Sequence, residues 1–466
     1  MSETSPAIFA HSSFAGCIGV AREDITPPAG IYARNWGASR YDLAEGVHRP
    51  LLLTVLTFQQ RPDDSPLVLI GMDGGWWKTH EDEWRVRSGL VESMALDPAN
   101  VILHLSHTHA GPSLCCQDRD KPGGHLIEPY LDSVREAAVC AARRALASST
   151  RATLTWAQGK CSLAHNRAFA LPGTDRVLCG LNPVSAADDT LVVGRVTDST
   201  RRVVATILNY ACHPTTLAWE NRLISPDFVG AAREVVESRF GGAPCLFLQG
   251  ASGELAPAEQ YTGDLDVADK HGRQLGYATL EALEGMLPPG TGLEFSHPVE
   301  SGAPLAVWKP VSSTPSQTLK AVSKTVELPL KEFPALEDIE RQLENCADRV
   351  IGERLRRTRE VRRLVGNGQM TSMEFWVWRL GEAIVIGQPN EAFSELQTRL
   401  RSLLAPRPVV VMNLVNGGEA GYLPVQTAYD LDMYEVNQTP LARGSLERFT
   451  EAAISAIQQL LSSTVE

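Results

Sequence analysis

A chain of 466 residues exceeds the usual single-core size, so one large domain or two fused lobes is expected. With 43% hydrophobic and 21% charged residues its composition is that of a globular protein, and no stretch approaches the ~18 consecutive apolar residues of a membrane span. A formal charge of −12 without any Lys/Arg-rich run argues against a nucleic-acid partner and is read as a solvated acidic surface.

The opening MSETSPAIFAHSSFAGC lacks a basic segment followed by an apolar one, so no secretory signal is expected. Nine cysteines, two of them adjacent at Cys115 and Cys116 and none in a CxxC pair, point to reduced thiols in a cytoplasmic protein.

Short apolar runs alternate with amphipathic segments, which reads as α/β. Strands are predicted at Pro66–Met72, Val101–His107, Leu191–Val196, Val203–Tyr210, Cys245–Leu248, Ala383–Gly387 and Val409–Val415. Most are apolar on both faces, as strands buried within a sheet require. Helices are predicted at Tyr130–Leu146, Val229–Phe240, Leu336–Leu364, Ala392–Leu404 and Leu446–Leu461; the heavily charged third either breaks or lies on the surface. A Pro/Gly/Ser-rich shift at Met286–Gln317 is read as a connector between an N-terminal lobe, residues 1–290, and a C-terminal lobe, residues 318–466.

Four segments carry candidate chemistry. In VILHLSHTHAGP (101–112), strand alternation would turn Leu103, Leu105, His107 and His109 to one face and set two imidazoles at the strand's carboxyl end, where open α/β sheets bind ligands. An isolated histidine there is more often simply hydrogen-bonded. A second apolar strand, VVATILNY, also ends in a histidine, His213, followed by Pro214, with Asp227 shortly after. Two strands delivering histidines to equivalent ends favours a shared site. Third, the strand AIVIG runs into Glu391, read as opening a helix, where its charge is favoured in any case. Fourth, Tyr422 follows the strand VVVMNLV in a Gly-rich turn; alone, a loop tyrosine predicts nothing.

In order, these segments resemble the N-terminal catalytic domain of the neutral/alkaline non-lysosomal ceramidases. The likeness opens at Gly19-Val20-Ala21-Arg22-Glu23-Asp24-Ile25-Thr26-Pro27-Pro28 and continues through His107-Thr108-His109-Ala110-Gly111-Pro112 and Asn166-Arg167. It then passes Asn209-Tyr210-Ala211-Cys212-His213-Pro214-Thr215 and Gln249-Gly250-Ala251-Ser252-Gly253-Glu254, ending at Glu391, Gly421-Tyr422 and Tyr434-Glu435. Each motif is weak alone, but the ordered set is strong. The resemblance implies an α/β fold with one large mixed-sheet catalytic domain and its active site at strand carboxyl ends. It also implies a zinc ion held by His107, His213, Glu391 and Tyr422, with water activated to cleave an amide. By the same resemblance His109 acts beside the metal, while Arg167 and Tyr434 line the polar group of a small-molecule or lipid-like N-acyl substrate.

The sequence also departs from the family. Ala256 stands in Gly253-Glu254-Leu255-Ala256-Pro257 where the family carries a serine implicated in catalysis, and Ser252 is no assured substitute. Glu254 replaces the usual Asp, Asn390 the Gly before the metal-binding Glu, and no counterpart of the family's C-terminal immunoglobulin-like domain is expected. An amide hydrolase whose substrate is not ceramide, a zinc esterase and a catalytically silent, metal-stabilised binding protein all stay open, as does a homo-oligomer. The metallo-β-lactamase pattern HxHxDH fails at Gly111, an amidohydrolase barrel lacks its later histidines, and a G-x-S-x-G elbow is absent.

Overall fold

The computed structural model describes residues 7–332, 334–418 and 420–462. The main sheet has eight strands, in the order Cys245–Gln249, Val203–Tyr210, Thr190–Asp198, Thr150–Lys160, Ser13–Asp24, Leu52–Gln59, Leu67–Met72 and Val101–Leu105. It is parallel at its two edges and antiparallel between them. A second sheet orders Leu319–Pro329, Met370–Leu380, Ala383–Gly387 and Val409–Met412, with the last pair parallel.

The two sheets pack face to face, and helices cover both outer faces. Alternation along each strand makes this legible. Leu56 and Phe58 enter the layer between the sheets, where they join Trp376, Trp378, Val385 and Val410, while Leu53 and Val55 pack beneath the helices His80–Ser93 and Ile127–Ala147. In the second sheet Ile384 and Ile386 meet the helices Glu395–Leu404 and Ser445–Ser462. The strands Leu67–Met72, Val101–Leu105, Cys245–Gln249 and Ala383–Gly387 are buried on both faces, which is why their sequences read as nearly continuous apolar runs. Among the described residues no helix is long and apolar enough to cross a membrane. All nine cysteines are free thiols.

Some elements depart from expectation. The charged segment breaks into Leu336–Glu344 and Arg349–Val365. The segment read as a connector holds an antiparallel hairpin, Thr291–Glu300 with Pro304–Ser312. Its Pro and Ser residues sit on exposed strands with no inner face to fill, so they conceal the pairing.

Side-chain amides lock the carboxyl ends of the sheets together. Asn416 accepts from the Leu103 N–H at 2.8 Å and donates to the Val101 carbonyl at 3.0 Å. Asn209 bridges the sheets by donating to the carbonyls of Leu248 and Val411. A buried ion pair fixes the helix Phe228–Arg239: both Arg233 Nη atoms donate to Asp73, at 2.9 and 2.5 Å. Asp73→Ala leaves that guanidinium uncompensated, and the expected cost is about 3–5 kcal/mol, read from the denaturant midpoint.

Candidate metal centre

Three strands deliver side chains to one point from their carboxyl ends. His107 follows Val101–Leu105, His213 follows Val203–Tyr210, and Glu391 follows Ala383–Gly387. The first does so differently from the sequence expectation. The strand stops at Leu105 rather than running to His107, and His107 adopts a left-handed φ of 69°. That turn, and not strand alternation, brings the rings of His107 and His109 to 4.8 Å. A left-handed non-glycine residue costs about 1–3 kcal/mol and is commonly retained where side-chain placement matters. Glu391 opens no helix: it lies in the two-residue strand Glu391–Ala392, and the helix begins at Glu395. That short strand pairs in parallel with Tyr422–Leu423, so Glu391 and Tyr422 are direct neighbours.

The hydrogen bonds fix both tautomers. His213 Nδ1 lies 2.6 Å from the Ser252 carbonyl and 3.2 Å from that of Leu255, and His107 Nδ1 lies 3.2 Å from the Gly75 carbonyl. A carbonyl only accepts, so each Nδ1 carries the proton and each Nε2 presents a lone pair. Both lone pairs face one oxygen, Glu391 Oε2, at 3.2 Å from His107 and 2.7 Å from His213. Three acceptors thus converge with no proton between them, and only an added proton or a cation relieves the repulsion. Burial disfavours the proton. It pushes the His213 imidazole down to about 4, helped by the nearby Arg167 charge and opposed by Glu391. Burial alone would raise the Glu391 carboxyl, and it is a proton on His107 or His213 that would hold it well below the usual carboxylate range. His107, His109 and His213 bring ligand atoms within 4.8 Å of one another, and this group can hold a metal ion.

Tyr422 stacks on His213 with ring centroids 6.4 Å apart. Burial, with the Glu391 charge, raises its phenol well above the ordinary value, against the pull of Arg167. Arg167 is buried and donates to the Tyr422 oxygen at 3.2 Å, to the Gly253 carbonyl at 2.7 Å and to Glu435 at 2.9 Å. Tyr434 is 39% exposed, 5.7 Å from the Tyr422 ring, and accepts from Arg357 at 3.3 Å.

His109 is distinct. Its ring lies 5.1 Å from each of Trp36 and Trp76, and neither ring nitrogen has a hydrogen-bond partner although both are buried. Burial holds its pKa well below 6.5, and any charge on His107 or His213 would lower it further.

Trp36, Trp76 and Tyr434 also line a cavity of about 860 Å³. The cluster of His107, His213 and Glu391 does not line the cavity and lies behind this wall. Trp76 lines this cavity and Trp219 stacks on Tyr261 beside Trp36, whereas Trp77, Trp376 and Trp378 pack in the core. Asp227 does not join the site: its carboxylate accepts from the Leu217 and Phe228 N–H groups and caps a helix.

Several contributors escape sequence reasoning. The carbonyls of Gly75 and Ser252 carry no side-chain signal, and Trp36 and Glu435 gain meaning only from their neighbours. Glu254 is another. Burial pushes its carboxyl up to about 7 despite the backbone N–H of Ser394 donating to it at 3.0 Å. A raised native pKa means that the folded chain holds the proton longer, so the associated stability is full below the ordinary carboxyl range and is lost as pH rises through 7. Glu254→Gln is therefore expected to be relatively more stable than the parent at pH 8 than at pH 5, by up to roughly 3 kcal/mol, in paired thermal melts.

No protein-family model matches the sequence, and no curated protein does. Solved structures do. Neutral ceramidase from Pseudomonas aeruginosa superposes with a TM-score of 0.68 at 17% identity, covering 98% of this chain and 76% of that one. The chain has the neutral ceramidase fold. A ceramidase complexed with C2 matches equally, with a TM-score of 0.68 at 16% identity over 98% of this chain and 77% of that one. The mixed eight-stranded sheet expected for that fold is the one observed.

Proposed function

We propose that the protein is a zinc-dependent amidohydrolase that cleaves an N-acyl bond, with His107, His213, Glu391 and Tyr422 as the metal ligands. The observation that carries the reading is the convergence of two Nε2 lone pairs on one Glu391 oxygen in a buried setting. Two imidazoles, a carboxylate and a phenol suit zinc, and the ceramidase likeness of the fold supports amide chemistry. Bound there, zinc supplies Lewis acidity towards a carbonyl oxygen and towards water.

The remaining work falls to the chain. His109, neutral at neutral pH, accepts a proton at a ring nitrogen and returns it to the leaving nitrogen. Arg167, anchored by Glu435, steadies the Tyr422 oxygen. Trp36 and Trp76 exclude water from the His109 ring faces. The family's serine position is Ala256, buried in a strand paired to His165, and the Ser252 hydroxyl accepts from Gln249 at 2.6 Å. Water is left as the attacking group.

The nine free cysteines support a cytoplasmic setting. A silent binding protein is the second reading, favoured by the methyl of Ala256. Screening N-acyl amino acids, N-acyl amines, short ceramides and aryl esters separates the two. The proposal expects amide hydrolysis that chelation abolishes and added zinc restores; bound zinc with no turnover on any of them contradicts it.

A further inference from the structure

The cavity in front of the metal cluster is strongly cationic in a chain of net charge −12. Seven Lys and Arg side chains line it against three carboxylates, Asp118, Asp120 and Glu360. Two of those carboxylates are already matched: Asp118 accepts from Lys78 at 2.7 Å, and Glu360 from Arg359 at 2.7 Å. Lys121, Arg354 and Arg356 form no ion pair with another described residue. Arg354, Arg356, Arg357 and Arg359 all come from the helix Arg349–Val365, where spacings of three set Arg354 with Arg357 and Arg356 with Arg359 on adjoining stripes facing the cavity. Across the same space stand Trp36 and Trp76, which sandwich His109. Arg357 also donates to Tyr434, which touches Tyr422, so the basic wall and the metal cluster are joined by contact.

From this we infer that the substrate of the site carries an anionic head, a carboxylate or a phosphate, which the arginine helix holds while the amide is directed towards the Trp36 and Trp76 wall that flanks His109. The inference rests on the hydrolytic reading and narrows it to anionic N-acyl compounds. Clustered cations along one wall of a recess focus the field and concentrate anions, and guanidinium forks match carboxylate and phosphate oxygens. A cavity of about 860 Å³ accommodates the whole of such a molecule. The void that His109 itself lines holds about 20 Å³, room for one water, so the bulk of acyl chain and head falls to the larger space on the far side of Trp36. An anionic membrane fits less well. The exposed apolar side chains Phe9, Phe295, Leu305 and Trp308 gather on the three-stranded sheet formed by Ile8–Ala10, Thr291–Glu300 and Pro304–Ser312, outside the cavity lining, whereas the cavity and its arginine helix show Tyr434 and Ile351.

The test is calorimetric binding to metal-stripped protein, which reads affinity without turnover and so stands or falls separately from hydrolysis. The probes are N-octanoylglycine, N-octanoylethanolamine phosphate and the neutral N-octanoylglycinamide. At low salt at least one anionic probe is expected to bind about tenfold more tightly than the neutral one, and the better of the two assigns the head. The advantage should shrink as salt is raised in the unaltered protein, and fall to within about threefold in R354Q/R356Q. Equal or tighter binding of the neutral probe overturns the inference. So does an anionic preference insensitive to both salt and the double substitution, or capture by phosphatidylserine vesicles with no binding of either anionic probe.

Discussion

Replacing His107 by alanine is expected to strip the metal and to lower kcat for amide cleavage by at least about a thousandfold. The reason lies in the acceptor cluster. Glu391 faces His107 and His213 through one oxygen, so without His107 the cluster loses one of the two imidazole lone pairs aimed at that point. His213 stays tied to Ser252 and Leu255, so its imidazole does not swing into the gap. Metal content and turnover should fall together while circular dichroism stays that of the parent, because His107 lies beyond its strand and makes no ladder bond. Full activity in this variant would remove the site from consideration.

His109→Phe should separate proton transfer from metal binding. The phenyl ring keeps the place between Trp36 and Trp76 but has no nitrogen. Bound metal is expected to be unchanged, KM to move little, and kcat to fall about 10²–10⁴-fold. Loss of the metal in this variant would instead make His109 a third imidazole ligand, an arrangement the close grouping with His107 and His213 also permits. Burial and the neighbouring imidazoles keep His109 neutral far below pH 7. The acidic limb of a kcat profile should therefore lie well under the ordinary histidine range in the parent and vanish in the variant.

Much of this was legible in the sequence, for identifiable reasons. Strands such as Val203–Tyr210 and Ala383–Gly387 are buried on both faces, and continuous β-branched apolar runs mark such strands directly. The helix Ser445–Ser462 announced itself by one apolar stripe. His107 and His213 were legible because both follow strands, and Glu391 and Tyr422 only through the ordered resemblance. Their pairing across two-residue strands has no periodicity to detect. The left-handed turn at His107 was hidden because a histidine carries none of the signal a glycine would. The strands Ser13–Asp24 and Thr150–Lys160 escaped because Gly, Arg and Gln interrupt them. The hairpin Thr291–Ser312 escaped because it has no buried face to pattern.

The most direct test of the metal centre is metal analysis of the purified protein combined with X-ray absorption at the zinc edge. The account predicts one zinc per chain, bound by two imidazole nitrogens and by oxygen at about 2.0–2.2 Å with no sulfur, and its loss in Glu391→Ala. A well-folded protein that takes up no divalent ion, or one whose ion survives that substitution with an unchanged spectrum, would contradict it.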